Sequence, residues 1–304
     1  YRLDLFKKWK IEEILDCTDI DIFEDATVRN IIIQFDKSNE SENYLRYRIT
    51  NHIQKFDDLL EKKRLTLDYN TVAYNNQNWA LIFKLDREVL QIISKVKKRT
   101  EPLGNFFDFS QGYIPYRRSD LIKQYGKEKG NKIIDERLWH SKNKVDDNYV
   151  PEVFGRELNK YGLANKSKQS YVNYGKHLAG YIETKYFNQK RILVREITNP
   201  KIIATILEDT YVNDPQLISI LNTENKYNLE MLWAILNSKF GTFYHFNSSP
   251  KATKGAFPKI LVYDIKNFPL PKNVSKEKEN QVTELVDQIL SAKAEDPAAD
   301  TQAL

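Results

Sequence analysis

One cysteine, one methionine, four histidines and ten glycines in 304 residues leave little room for several kinds of chemistry. Cys17 has no partner for an intrachain disulfide, so a disulfide framework is excluded, and a lone thiol suits a reducing compartment. It reads as a small buried apolar residue rather than a nucleophile. His52, His140, His177 and His245 are scattered, and no His-Glu-x-x-His pair sets two ligands on one helix face, so no metal centre is expected. No Gly-x-Gly-x-x-Gly cradles a dinucleotide. Gly175 and Gly180 have P-loop spacing, but Tyr181-Ile182 follow where Lys-Ser/Thr would have to hold phosphate and magnesium. Apolar runs are as short as Ile31-Ile32-Ile33, against the ~20 residues of a spanning helix, and the opening residues lack a signal peptide's apolar core. No membrane partner is expected, and the location reads as cytoplasmic. The chain opens on Tyr1, which reads as a piece of something longer.

What is present describes a folded chain. Apolar residues make up 41% and aromatics 12%, enough to offset the entropy of ordering a core. Near the start, Leu3, Leu5, Phe6 and Trp9 suit a short helix. Residues 11–15 and 27–35 read as strands, the second with the β-branched run of a strand covered on both faces. Residues 44–84 suggest a Tyr/Arg-rich strand, a charged helix and a strand ending near Trp79. A connecting helix follows, with Asp86 as its N-cap, Val89, Ile92, Ile93 and Val96 as its apolar face, and a basic end. From Glu101 the texture turns β-rich, with strands expected at 103–109, 191–195, 201–205 and 217–220. One strong helix interrupts it, capped by Asn228 and striped by Leu229, Leu232, Trp233, Leu236, Phe240 and Phe243 over 229–246. An amphipathic helix starting at Ser275 closes the chain. The fold class is α+β, with segments 1–45 (an α/β edge), 46–100 (connecting), 101–273 (β-rich) and 274–304 (helix and tail).

The chain carries 47 basic and 42 acidic residues, a net +5 too small to name a partner by itself. Its distribution says more. Between Arg156 and Arg195 stand nine basic residues and only two acidic ones, Glu157 and Glu183, interleaved with Tyr161, Tyr171, Tyr174, Tyr181 and Tyr186. Cations with phenols among them suit phosphate, sugar and base contacts, although an ordinary solvated face has the same composition. A second acid-free window runs from Lys239 to Lys259, and Tyr116-Arg117-Arg118 forms a third basic spot. Glu183-x-Lys185 resembles the end of a divalent-metal nuclease motif, which keeps a nuclease reading open. Asn199-Pro200 lacks the second proline and the aromatic ring of an amino-methyltransferase loop and reads as a turn.

The order of several short motifs resembles a known family. Phe109-Ser110-Gln111-Gly112-Tyr113, the run Phe154 to Tyr161, Tyr171-Val172-Asn173-Tyr174-Gly175, the run Phe187 to Ile197, Tyr211-Val212-Asn213-Asp214, Leu236-Asn237-Ser238-Lys239, and Phe257-Pro258-Lys259-Ile260 leading to Phe268-Pro269-Leu270-Pro271 are together similar to the TaqI-like specificity domain. That domain ends adenine-specific DNA methyltransferases and type IIG, Eco57I-type restriction–modification enzymes. The first forty residues resemble the last strands of the family's methyltransferase domain. Gly112 departs from the family by preceding Tyr-Ile-Pro instead of a Thr-Gly-rich loop.

The resemblance implies sequence-specific recognition of double-stranded DNA by a chain that is itself non-catalytic. It holds no cofactor in this fragment, and an upstream methyltransferase domain binds S-adenosylmethionine and receives a flipped adenine. Phosphate contacts are expected from Arg117, Arg118, Lys166, Lys168, Lys176, Lys251 and Lys254, and base contacts from Gln111, Arg156, Tyr174 and His177. The alternatives are a metal-dependent nuclease using Glu183 and Lys185, and a protein-interaction module of a phage-defence system.

Overall fold

A computed structural model describes residues 8–20, 22–23, 30–37, 44–50, 53, 55–68, 83, 87–164, 170–198, 201–249, 251–252 and 258–301. The chain divides into two compact units, Tyr1–Ile93 and Ser94–Leu304.

In the first unit, β1 (Lys10–Cys17), β2 (Asn30–Asp36), β3 (Tyr44–Ile49), α1 (Phe56–Glu61) and β4 (Leu65–Asp68) follow in order, and the sheet runs β2-β1-β3-β4. β1 pairs antiparallel with β2 and parallel with β3. Ile11, Ile14, Leu45, Tyr47 and Phe83 form its core. Cys17 is buried, as its residue type suggested, and burial beside Asp16 pushes its thiol upward, away from a nucleophile. β2 corrects one expectation: it is the sheet's edge, and Ile31, Ile32 and Phe35 are 48%, 40% and 44% exposed. A β-branched run specifies a strand, but not what covers it. The helix expected over Leu3–Phe6, the strand end at Trp79 and the Asp86 cap lie outside the described residues.

α2 (Arg87–Arg99) leads into the second unit, carrying Lys97, Lys98 and Arg99 in its last turn, where cations suit the negative end of the helix dipole. Then come β5 (Thr100–Pro102), β6 (Phe107–Gln111), α3 (Arg118–Tyr125), α4 (Lys127–Asp135), β7 (His140–Ser141), β8 (Tyr149–Val153), β9 (Leu158–Asn159), β10 (Gly162–Leu163), β11 (Ser170–Asn173), β12 (Arg191–Arg195), β13 (Ala204–Leu207), β14 (Val212–Asn213) and β15 (Leu217–Asn222). The unit closes with α5 (Leu229–Asn237), α6 (Lys239–Ser248), α7 (Val262–Lys266), β16 (Pro269–Pro271) and α8 (Lys276–Glu295). Among the described residues two four-stranded sheets dominate, ordered β14-β8-β11-β7 and β13-β12-β15-β6. The first is cored by Tyr113, Val172, Leu178, Phe187 and Val212, the second by Val153, Leu158, Leu193, Leu207 and Leu217.

Several elements differ from the sequence reading. The apolar stripe over 229–246 is not one helix, because Ser238 ends α5 and caps α6, its hydroxyl accepting from the Gly241 amide at 2.9 Å. Asn228 precedes α5 without a side-chain cap bond; its Nδ2 instead donates to Thr283 Oγ1 at 3.2 Å and its backbone N–H to Glu279 Oε1 at 2.7 Å, which ties α5 to α8. The paired α3 and α4, built from charged sequence, were not anticipated in the β-rich stretch. The strand expected at 201–205 begins at Ala204. α8 begins beside Ser275 as expected, and Ser275 caps it, its hydroxyl accepting from the Lys278 amide at 3.3 Å.

Candidate nucleic-acid interface

The two large sheets are sewn together where β6 ends. Gly112 N–H donates to Leu217 O and Tyr113 N–H to Asn213 O, both at 3.0 Å, so the chain leaves one sheet and joins the other within two residues. A Cβ on Gly112 would stand 1.9 Å from the Asp214 carbonyl oxygen, so only glycine passes under this turn. Asp214 N–H donates to Val153 O at 3.0 Å, completing the seam.

Around this seam lie several of the residues singled out from the sequence. Gln111 is exposed at the end of β6 and its Nε2 donates to Pro215 O at 2.9 Å. Gly155 faces Gln216, with 3.0 Å from a Cβ there to that side chain, and next to it Arg156 is exposed with its guanidinium 5.2 Å from the Phe154 ring centroid. Between them Asp214 is pushed up from its ordinary 3.8 to about 6, chiefly by burial, although backbone N–H groups of Gln216 and Gly155 pull the other way. On the far side of Tyr113, Ile114 bridges to Gly180, which lays the 114–117 segment beside the turn holding Lys176 and His177. Both are exposed, and neither Lys176 nor Arg156 forms an ion pair among the described residues.

Beneath this edge runs a buried polar network. The Glu152 carboxylate, with a side chain 0% exposed, accepts from Tyr113 O–H and Ser170 O–H, each at 2.5 Å, and lies 3.5 Å from His140 Nε2. Burial pushes its carboxyl up, but the bonds from His140, Ser170 and Tyr113 outweigh that and hold it below the usual range. Tyr113 is driven upward, first by burial and then by the Glu152 charge, so it remains a donor. The Tyr116 hydroxyl lies 2.7 Å from His140 Nδ1 and accepts from Trp139 N–H at 3.1 Å. His140 Nε2 also lies 3.2 Å from the Tyr113 hydroxyl, so its ring is held between Tyr113 and Glu152 on one side and Tyr116 on the other.

Other expected contacts are otherwise engaged. Tyr174 is half-buried, its hydroxyl donating to Ile182 O at 2.6 Å and accepting from Ile182 N–H at 3.0 Å, and burial pushes it up to about 12. Arg117 pairs with Asp120 at 3.0 Å and Arg118 with Asp135 at 3.3 Å, both at the surface of α3 and α4. Lys251 is exposed, while Lys166, Lys168 and Lys254 lie outside the described residues.

Several of the basic residues in 156–195 are buried or paired. Arg191 is 0% exposed and donates to the carbonyls of Gln189, Asp209 and Tyr211 at 3.0, 3.1 and 2.8 Å. Lys190 bridges Glu208 and Glu230 at 3.1 and 2.9 Å. Lys185 lies 3.1 Å from Asp108 and 3.6 Å from Glu183, so the Glu183-x-Lys185 pair is an ion cluster. Among the described residues no group of three or more His, Cys, Asp or Glu side chains is placed to hold a metal. No described helix is long and apolar enough to cross a membrane.

Six of the eight strands of the two large sheets, with Arg156, Lys176 and His177, fall within one recognisable segment. Residues 150–270 match the TaqI-like C-terminal specificity domain. The resemblance read from the motif order thus holds for that segment, and the mixed α+β class holds with it. Solved structures similar to the chain include the type IIG restriction endonuclease BpuSI (13% identity, TM-score 0.45, 94% of this chain and 40% of that one). Others are the type IIL restriction–modification enzyme MmeI in complex with DNA (11%, 0.48, 97% and 39%) and the HsdS subunit from Thermoanaerobacter tengcongensis (14%, 0.38, 84% and 60%). The chain therefore spans 39% to 60% of the length of these three. No curated protein matches it.

Proposed function

We propose that the second unit is the DNA target-recognition part of an adenine-specific DNA methyltransferase or type IIG restriction–modification enzyme, non-catalytic by itself and working in the cytoplasm. The observation that carries this reading is that the specificity-domain segment holds the exposed Arg156, Lys176 and His177 beside the seam, with Gln111 exposed at the seam's other side. Glutamine bridges adenine and arginine bridges guanine at major-groove edges, while lysine serves phosphate. Arg117, Arg118 and Lys251 add phosphate contacts once duplex competes for their surface, as do Lys166, Lys168 and Lys254 of the sequence reading. The half-buried Tyr174 serves as support for the reading edge. The parent protein supplies S-adenosylmethionine chemistry through an upstream methyltransferase domain.

The test is fluorescence anisotropy of the 304-residue chain with mixed-sequence duplex DNA over a salt series, followed by selection from a randomised duplex pool. Steep loss of affinity with rising salt and an enriched sequence are expected. Binding that is absent at low salt, or that ignores salt, refutes the reading and favours a protein partner.

A further inference from the structure

Three aromatic rings stand in a column on the exposed side of the buried network. Tyr116 stacks on Trp139 with ring centroids 4.9 Å apart and planes 19° from parallel. Trp139 in turn meets His177 edge-on at 4.8 Å. Only the outer ring, His177, is exposed; Tyr116 and Trp139 are half-buried. The inner end is fixed twice, because the Tyr116 hydroxyl is held by His140 Nδ1 and by Trp139 N–H, and His140 is itself held against Glu152. Trp139 is tied from its other backbone group as well, its carbonyl accepting from Asn173 N–H at 2.8 Å.

The outer end has its own clearance. Leu178 N–H donates to Gly175 O at 3.1 Å, closing a tight turn that turns the His177 ring back over Gly175. A Cβ at Gly175 would stand 3.0 Å from His177 Nδ1 and 3.2 Å from Cε1. Gly175 is not among the positive-φ residues, so its backbone does not call for glycine, and a side chain there would press only on the His177 ring.

We propose that Tyr116, Trp139 and Gly175 are positioning residues for His177, which is thereby held as a fixed base-edge contact of the duplex bound at this seam. The inference rests on the DNA-recognition reading. Its physical content is pre-organisation: an exposed imidazole free to rotate loses rotamer entropy on binding and discriminates poorly, whereas one already braced against a stacked pair presents its ring nitrogens in one direction. A fixed donor or acceptor rejects the wrong base because that base leaves it unpaired. His177 directly follows Lys176 in the chain, so phosphate and base contacts issue from one turn.

Gly175→Ala is the deciding variant, since the added methyl meets only the far end of one exposed side chain. Selection and anisotropy are run on wild type, Gly175→Ala, His177→Ala and the double variant, with Tyr116→Phe as a second probe that keeps the stacked ring and removes its hydroxyl. For Gly175→Ala and His177→Ala we expect about a tenfold loss at the selected sequence, confined to one or two adjacent base positions. Affinity for mixed-sequence DNA and the salt slope should stay within about twofold of wild type. The double variant should be no worse than His177→Ala alone, because Gly175 acts through that ring. Tyr116→Phe should weaken the same base positions by a smaller factor. If the losses of the two single variants add, or if Gly175→Ala leaves the preference intact, the positioning role is overturned while DNA recognition stands. If wild type neither binds duplex nor selects a sequence, the recognition reading itself fails.

Discussion

Replacing Asp214 with asparagine removes a charge that the fold holds at a cost. The carboxyl sits in the seam between the two sheets, pushed up from 3.8 to about 6, first by burial and then by the negative charges of Glu152 and Glu157. Because the folded value is raised, the contribution to stability is fully present below about pH 4 and is lost as pH rises through about 6. The unfolded chain gives up its proton earlier in that window. At about 1.4 kcal/mol for each tenfold change in ionisation, the full shift corresponds to roughly 3 kcal/mol; partial solvent access to the side chain reduces this to about 1–2 kcal/mol. Asparagine keeps an oxygen to accept the Gln216 amide, now at 3.2 Å. Asp214→Asn should therefore match wild type at pH 4 and exceed it above pH 7 by about 1–2 kcal/mol, a rise of about 3–6 °C in the melting temperature. Thermal unfolding followed by circular dichroism from pH 4 to pH 8 measures this. A difference that is independent of pH, or a variant less stable at pH 8, refutes the reasoning.

Glu152 has the opposite sign: its folded carboxyl lies below the ordinary 4.5, so its contribution is present above that value and disappears as pH falls through the folded one. Glu152→Gln turns an amide toward donors that need an acceptor and should cost about 1–3 kcal/mol at pH 7 in urea unfolding. Arg191→Met leaves the carbonyls of Gln189, Asp209 and Tyr211 unpaired in the interior and should cost about 3 kcal/mol, read by the same melts. For DNA, Lys176→Ala should lower the salt slope by about 1, while Lys190→Ala, already neutralised by Glu208 and Glu230, should leave it unchanged.

The parts of the fold legible in the sequence were those with a strong period or a local cap. The β12 and β15 strands, α2 and the Ser275-capped α8 fall where apolar spacing put them. What escaped depended on tertiary choices. Ser238 breaks a continuous apolar stripe by accepting from Gly241, and a polar residue inside a stripe carries no mark that says whether it caps or faces water. α3 and α4 are charged helices whose buried residues reduce to Leu121, Gly130 and Ile133, too few to form a visible period. At the site, Gln111, Arg156, Lys176 and His177, expected from residue type as DNA contacts, are exposed. Residue type could not single out Glu152, His140 and Trp139, because a carboxylate at a β8 position reads the same on either face until its partners are known. Counting cations misled for the same reason: a charge in sequence does not show its partner.

That distinction between braced interior and exposed edge has a consequence for specificity. The seam is fixed by backbone bonds of Gly112, Tyr113 and Asp214 and by the Glu152 network, none of which requires the side chains at Gln111, Arg156 or His177. Polar exchanges at those three positions remove no core contact and should keep the melting temperature within about 2 °C of wild type. The selected DNA sequence should nevertheless change, at different base positions for each exchange, because Gln111 and Arg156 flank the Asp214 turn while His177 lies beyond Tyr113. Exchanges at Glu152 should do the reverse, lowering stability and weakening every base position together. Selection from a randomised pool, run beside thermal unfolding for Gln111→Glu, Arg156→Gln and His177→Asn, separates the two classes. Should the edge variants melt early, or should all three shift the same base position, the edge is not an independent reading surface and the seam cannot be the scaffold argued for it.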